Sequence, residues 1–380
     1  MKFYSNEIVF RGPPDKVCDQ ISDAILDECL RQDKTSRCGI EVVGGKGKIF
    51  VTGEITSNAK FDLTNIVKRV LKDIGYNDNY EIIDNIGKQS QDIALGTNIE
   101  VGGAGDNGMM FGYACKDTKE LLPKAMVILQ KLSQEYDKLV HSDERFCADG
   151  KAQITGIYDE HNKLIKIKDF TVCYQNTEKE REKTDEIIKK ICDKICKEYN
   201  VEVETYLINP TGRFEIGGFD GDAGLTGRKI VVDSYQSFAN VGGGAFSGKD
   251  PSKVDRSGAY KAREIANKIV SSNDKYEWCE VQLSYAIGIE EPLAIYIETN
   301  LGNVEADKEL YEACKPRNII KDLNLLNEHY EERAKFGHFR NWLLTTKKHF
   351  CIINTVKDSG SMVKVMSTKL EKTPTWGGVI

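Results

Sequence analysis

The chain has 380 residues, 40% of them hydrophobic, enough for two or three ordinary domains with their own cores. Its 53 basic and 59 acidic side chains leave a net charge of −6, which excludes a general binder of nucleic acid or of membrane surfaces. Any anionic ligand must therefore be met by a local cluster of cations. No run of about 18 apolar residues is present. The stretch MKFYSNEIVF lacks the charged-then-apolar form of a signal peptide, so a cytoplasmic protein is expected. The 11 cysteines include no CxxC pair. Cys192 and Cys196 lie one helical turn apart, but without a second pair they read as reduced, packed thiols, not as a metal site.

In chain order, the turn GPPDK (12–16) leads into a helix in which Val17, Ile21, Ala24, Ile25 and Leu30 recur at helical spacing. Pro14 suits the first helical position and Asp15 the positive helix end. KIFVTGEIT alternates as a strand, and DLTNIVKRVLKDIGY sets Leu63, Ile66, Val67, Val70, Leu71 and Ile74 on one helical face. SQDIALGTNIEVGGAGDNGMMFGYA has glycines at 96, 102, 103, 105, 108 and 112, too many for a regular element. It reads as a mobile loop followed by a tight turn. A helical stretch to about Leu139 precedes AQITGIYDEHNKLIKIKDFTVCYQ, which reads as a β-hairpin, and residues 178–199 form a helix with a solvated face of Lys and Glu. Residues 209–257 are dense in glycine interleaved with Asp, Lys and Arg, and chemistry is expected there. A helix at about 251–270, strands at VQLSYAIGI and LAIYIET, and a helix at about 319–330 complete the chain. No repeat is visible, and the mixture suggests an α+β fold.

The stretch GGAFSGKD fits GxxxxGK from Gly243 to Lys249, but Asp250 stands where a P-loop needs Ser or Thr for magnesium, and SFANV precedes it where a buried strand is required. Its glycines still let backbone N–H groups approach phosphate oxygens. Arg228, Lys229, Lys249, Lys253 and Arg256 place five cations within residues 228–256, with Asp250 and Asp255 among them and Asp15 and Lys16 repeating the pairing near the N-terminus. Such pairs on an ordinary surface neutralise each other. Taken together, carboxylates for Mg²⁺ and lysines for the remaining oxygens are what a triphosphate site requires. Arg213 and Phe214, in NPTGRFEIGG, fit a purine-stacking pair, although a lone Phe equally suits a core.

GAGDNGMMFGYA, INPTGRFEIGG, DGDAGLTGRKIVVD and GGGAFSGKDPSKVDRSGAY, with GPPDKVCDQISDAILD before them, resemble the signature segments of the S-adenosylmethionine synthetase (methionine adenosyltransferase) family, in family order from about Lys2 to His349. The resemblance implies synthesis of S-adenosylmethionine from ATP and methionine: the sulfur attacks ribose C5′, and triphosphate leaves whole before hydrolysis to phosphate and pyrophosphate. It implies three similar α+β domains about a pseudo-threefold axis, here expected at 1–99, 100–217 and 218–380. It also implies homodimers with shared active sites, assembled into a homotetramer. Carried over by position, Asp15 and Asp255 would hold Mg²⁺, two ions per site, and Glu41 would help bind K⁺. ATP would meet Asp149, Arg213, Phe214, Asp222, Arg228, Lys229, Ala245, Lys249 and Lys253. Methionine would meet Glu54, Asp106, Asp222 and Lys253, and the catalytic set would be Lys16, Lys151, Asp222, Arg228 and Lys249.

Five departures from the family pattern stand out. Pro13 replaces a histidine that assists the leaving triphosphate, and proline has no side-chain donor and no N–H. Arg11 replaces an acid, Leu95 a glutamine that helps bind methionine, and Gln236-Ser237 a Gly-Gly pair; GHFRN, from Gly337, lacks a second glycine. Three readings follow: a methionine adenosyltransferase in which Arg11 or a lysine replaces the imidazole, an enzyme with another nucleophile or another cut of ATP, or a non-catalytic regulatory subunit.

Overall fold

The computed structural model describes residues 2–77, 79–89, 102–176 and 181–340, together with two two-residue strands at 357–358 and 361–362. Leu95 with its glycine-rich loop, and the tail KLEKTPTWGGVI, lie outside the described residues.

Three helices of equal length organise the chain: α1 (Pro14–Gln32), α3 (Lys124–Ser142) and α5 (Val254–Ser272), each of 19 residues. Two amphipathic helices, α2 (Leu63–Ile74) and α4 (Arg181–Glu198), lie between them in sequence. The apolar spacing read from the sequence sets the inward face of α1: Val17, Ile21 and Ile25 are fully buried. Each such burial contributes about 1.5–3 kcal/mol. In α2, Asp62 caps the first turn by accepting from Asn65 N, and Gly75 closes the last turn in the left-handed region at φ 108°.

The strands are β1 (Lys2–Val9), β2 (Arg37–Gly45), β3 (Lys48–Thr56), β4 (Glu81–Gly87), β5 (Gly108–Cys115), β6 (Phe146–Tyr158), β7 (Leu164–Asn176), β8 (Glu202–Ile208), β9 (Gly224–Leu225), β10 (Trp278–Tyr285), β11 (Ala294–Thr299) and β12 (Gly302–Asn303). They form three four-stranded sheets, ordered β9-β2-β3-β4, β1-β6-β7-β8 and β5-β10-β11-β12. In each, a hairpin follows one of the 19-residue helices, and its first strand pairs antiparallel with a strand from elsewhere in the chain. The exchange is cyclic. The strand preceding α1 joins the sheet that follows α3, the strand preceding α3 joins the sheet that follows α5, and the strand preceding α5 joins the sheet that follows α1. This is the pseudo-threefold α+β architecture, and it is a structural repeat that the sequence does not display.

Two expectations change. The glycine-rich stretch does hold a regular element, β5, which includes Gly108 and Gly112. A Cβ on Gly112 would lie 2.0 Å from the Ala262 carbonyl carbon, so glycine is what lets this strand meet α5. The single helix expected at 319–330 is two short ones, Pro316–Asp322 and Tyr330–Phe336, with a 3₁₀ turn between them. Asn324, at φ 53°, sits in the left-handed region and breaks the continuity. The thiols of Cys192 and Cys196 are buried and unbridged, as read.

Candidate active site

The site is built around the turn that starts α1. Gly12 N donates to the Ala148 carbonyl at 3.1 Å, and a Cβ on Gly12 would lie 2.3 Å from that carbonyl carbon, so the turn lies flat on β6 beside Asp149. The Tyr76 hydroxyl donates to the Gly12 carbonyl at 2.7 Å. Pro13 has φ −52° and ψ 139°, and its carbonyl accepts from Lys16 N at 2.9 Å and Val17 N at 3.1 Å. Proline therefore starts the helix without distortion, but it contributes no donor. Arg11 does not fill that role: its guanidinium is buried and donates to Asp73 on α2, to Asp137 on α3 at 3.0 Å and to Gln20 at 3.0 Å.

Asp15 stands in the first turn of α1. Its carboxylate accepts from Leu225 N at 2.9 Å and from the Lys229 ammonium, with Arg228 Nε at 3.5 Å. Asp255 holds the corresponding place in α5, where its carboxylate pairs with the Lys249 ammonium. Burial pushes its carboxyl up; Lys249 opposes this, and the neighbouring Asp106 carboxyl adds to it. Lys253 reaches Glu54 at 3.3 Å. Glu41, on β2, is also raised by burial and opposed by Lys249. Ala245 stands against Gly227, where its Cβ would lie 2.5 Å from a Cβ on that glycine, so the loop of Lys249 touches the loop of Arg228.

A third group flanks the turn. Asp149 accepts from Gly218 N at 2.7 Å, and burial raises its carboxyl, with Asp222 adding to the effect. Lys151 is exposed two residues along the same face of β6. Arg213 is exposed and donates to Glu215 at 2.8 Å, and the half-buried Phe214 ring joins none of the aromatic pairs among the described residues. The structure thus joins Asp15 to Arg228 and Lys229, Asp255 to Lys249, Lys253 to Glu54 and Asp149 to the segment of Gly218. Lys16 turns inward, only 2% exposed, and donates to Asp233 at 2.6 Å and Asp19 at 3.2 Å. Burial pulls its ammonium down, but the two carboxylates outweigh that and hold it above its ordinary value.

Asp250 explains why the P-loop match is only formal. It is fully buried and accepts from Cys38 N at 2.8 Å and Ser252 N at 2.9 Å, so it is a structural clasp. Asp19 and Asp23 carry no role in the sequence reading, yet Asp19 accepts from Gly227 N and Asp23 from Gly248 N, both at 2.8 Å. The four-residue spacing of Asp15, Asp19, Asp23 and Asp27 was the available signal.

The site's hard carboxylate oxygens suit Mg²⁺. Among the described residues no group of three or more His, Cys, Asp or Glu converges to hold a metal. An ion completed by phosphate and water would need only one or two oxygens from the protein.

Residues 1–93, 101–214 and 216–348 match the family models for the S-adenosylmethionine synthetase N-terminal, central and C-terminal domains. The chain is 42% identical over 358 residues to an S-adenosylmethionine synthase of Fusobacterium nucleatum, covering 88% of this chain and 92% of the relative. It is 42% identical over 372 residues to one of Clostridium tetani, covering 89% and 94%. With one of Prochlorococcus marinus the figures are 39% over 383 residues, covering 88% and 93%. The chain belongs to the S-adenosylmethionine synthetase family.

Proposed function

We propose that the protein makes S-adenosylmethionine from ATP and L-methionine. The observation that carries this reading is the pairing of Lys229 and Arg228 with Asp15, and of Lys249 with Asp255, at the first turns of two 19-residue helices. Helix N-termini favour anions, and a polyphosphate entering there exchanges lysine–aspartate pairs for lysine–phosphate pairs. Lys253 and Lys151 extend the cationic set; Phe214, Arg213, Asp149, Asp222 and Ala245 receive the rest of ATP; Glu54, Asp106, Asp222 and Lys253 receive methionine. Asp15 and Asp255 would hold two Mg²⁺ and Glu41 would contribute to K⁺. The bound ions supply neutralisation of the triphosphate. Arg228, Lys229 and Lys249 stabilise the charge that develops on the leaving oxygen as the sulfur attacks C5′, and they retain triphosphate for hydrolysis. Retention of this set argues against a non-catalytic subunit.

The domains divide near 99 and 217 in this reading. A homodimer with shared sites, assembled further into a tetramer, is supported by apolar side chains exposed on all three sheets: Phe3, Val43, Met109, Leu207 and Tyr296. A cytoplasmic location accords with the described residues, in which no helix is long and apolar enough to cross a membrane. The test is incubation of purified protein with ATP, Mg²⁺, K⁺ and methionine. A sulfonium product by mass spectrometry supports the reading, and its absence at high enzyme loading rejects it.

A further inference from the structure

Asp15, Asp19, Asp23 and Asp27 recur every four residues along α1. At 1.5 Å rise and 3.6 residues per turn, successive carboxylates stand about 6 Å apart and rotate by about 40°, forming one slowly winding stripe. The first three are buried, at 6%, 1% and 0% exposure. A buried carboxylate must be paired, and each here accepts a backbone N–H from a distant segment. Asp15 takes Leu225 N at 2.9 Å, Asp19 takes Gly227 N at 2.8 Å and Asp23 takes Gly248 N at 2.8 Å. Asp27 takes Tyr330 N and Glu331 N at 2.8 and 3.0 Å. The accompanying cations are Lys229 on Asp15, Lys16 on Asp19 and, on Asp23, Arg256, whose Nη2 donates to both carboxylate oxygens at 2.8 and 2.7 Å.

The anchored amides are informative. Arg228 directly follows Gly227, and Lys249 directly follows Gly248. A charge-assisted bond to each glycine N–H fixes where the next, phosphate-directed side chain begins. We propose that Asp19 and Asp23 are positioning residues: as two rungs on one rigid helix, they set the Arg228–Lys229 and Lys249 loops in register with Asp15. This deepens the function proposed above and rests on it. A surface ion pair neutralises charge and leaves loop position alone, whereas these carboxylates bind the loop backbone itself.

The test measures tripolyphosphate affinity with Mg²⁺ by calorimetry, the KM for ATP and the melting temperature, all on the full chain. Asp19→Asn cannot accept from both Gly227 N and Lys16, and a tenfold or greater loss of tripolyphosphate affinity with a matching rise in KM is expected. Asp19→Glu keeps the charge, reaches one methylene further and loses less; it serves if the asparagine variant does not fold. Asp27→Ala strips the last rung, which holds only the helix at 330–336, and should lower the melting temperature with affinity and KM unchanged. Unaltered affinity in a folded Asp19 variant, or equal losses in Asp27→Ala, overturns the inference alone. Failure of the unmodified protein to bind tripolyphosphate overturns the functional reading and the inference together.

Discussion

Placing histidine at position 13 tests whether a side-chain donor there, as the family resemblance implies, matters for the reaction. Pro13 sits at φ −52° and ψ 139°, a backbone conformation open to any residue before a proline, and the two bonds that start α1 use its carbonyl. Pro13→His therefore keeps both bonds and costs stability only through the freer unfolded chain, about 0.4–1 kcal/mol. One preorganised donor to a developing oxyanion lowers the barrier by ~3 kcal/mol, or roughly 10²–10³ in rate. Because Arg11 is committed to Asp73, Asp137 and Gln20, no neighbour on the turn already does this work. The assay is kcat for S-adenosylmethionine formation at saturating ATP and methionine, with the melting temperature as control. A kcat rise of at least tens-fold is expected. A folded variant with unchanged kcat would refute the reasoning, and would mean that Arg228, Lys229 and Lys249 already supply the stabilisation.

Three further outcomes are expected. Asp250→Thr, a change toward the P-loop pattern, strands one of the N–H groups of Cys38 and Ser252 together with Arg37; it should lower stability by about 1–3 kcal/mol per stranded group in urea unfolding and gain no Mg²⁺ affinity. Gln236 stands at φ 56°, in the left-handed region that favours glycine, with both amide atoms buried and unpartnered, so Gln236→Gly should raise stability by about 1 kcal/mol; a lower melting temperature contradicts this. Burial, opposed by the Glu331 and Tyr330 amides, lifts the Asp27 carboxyl from 3.8 to about 7. Between those values the folded chain holds a proton that the unfolded chain has lost, so stability falls as pH rises through this window, by about 1.4 kcal/mol per unit from this group. Asp27→Asn should flatten that slope in urea titrations at pH 5 and 7, and parallel slopes would count against the assignment.

Much of the site was legible because its chemistry is local in sequence. Asp15 beside a helix start, and Lys249, Lys253 and Asp255 at another, announce charge at helix N-termini. What stayed hidden was the direction of individual side chains. Lys16 adjoins Asp15, yet it turns into the core toward Asp233, 217 residues away. Asp250 sits among the cations read as a phosphate site, yet it clasps the backbone of β2. Gly112 read as a loop residue because its reason, the close approach of Ala262, lies 150 residues further on.

By itself the sequence determined the helices α1 and α2, the hairpin of β6 and β7, the α+β class and the charged set, since apolar spacing and turn chemistry act over a few residues. Tertiary structure alone decided that each unit lends its leading strand to another unit's sheet, and that the aspartates of α1 hold loops more than 200 residues away. Backbone amides have the same chemistry at every residue but proline, so only the packed fold selects which ones a buried carboxylate will hold.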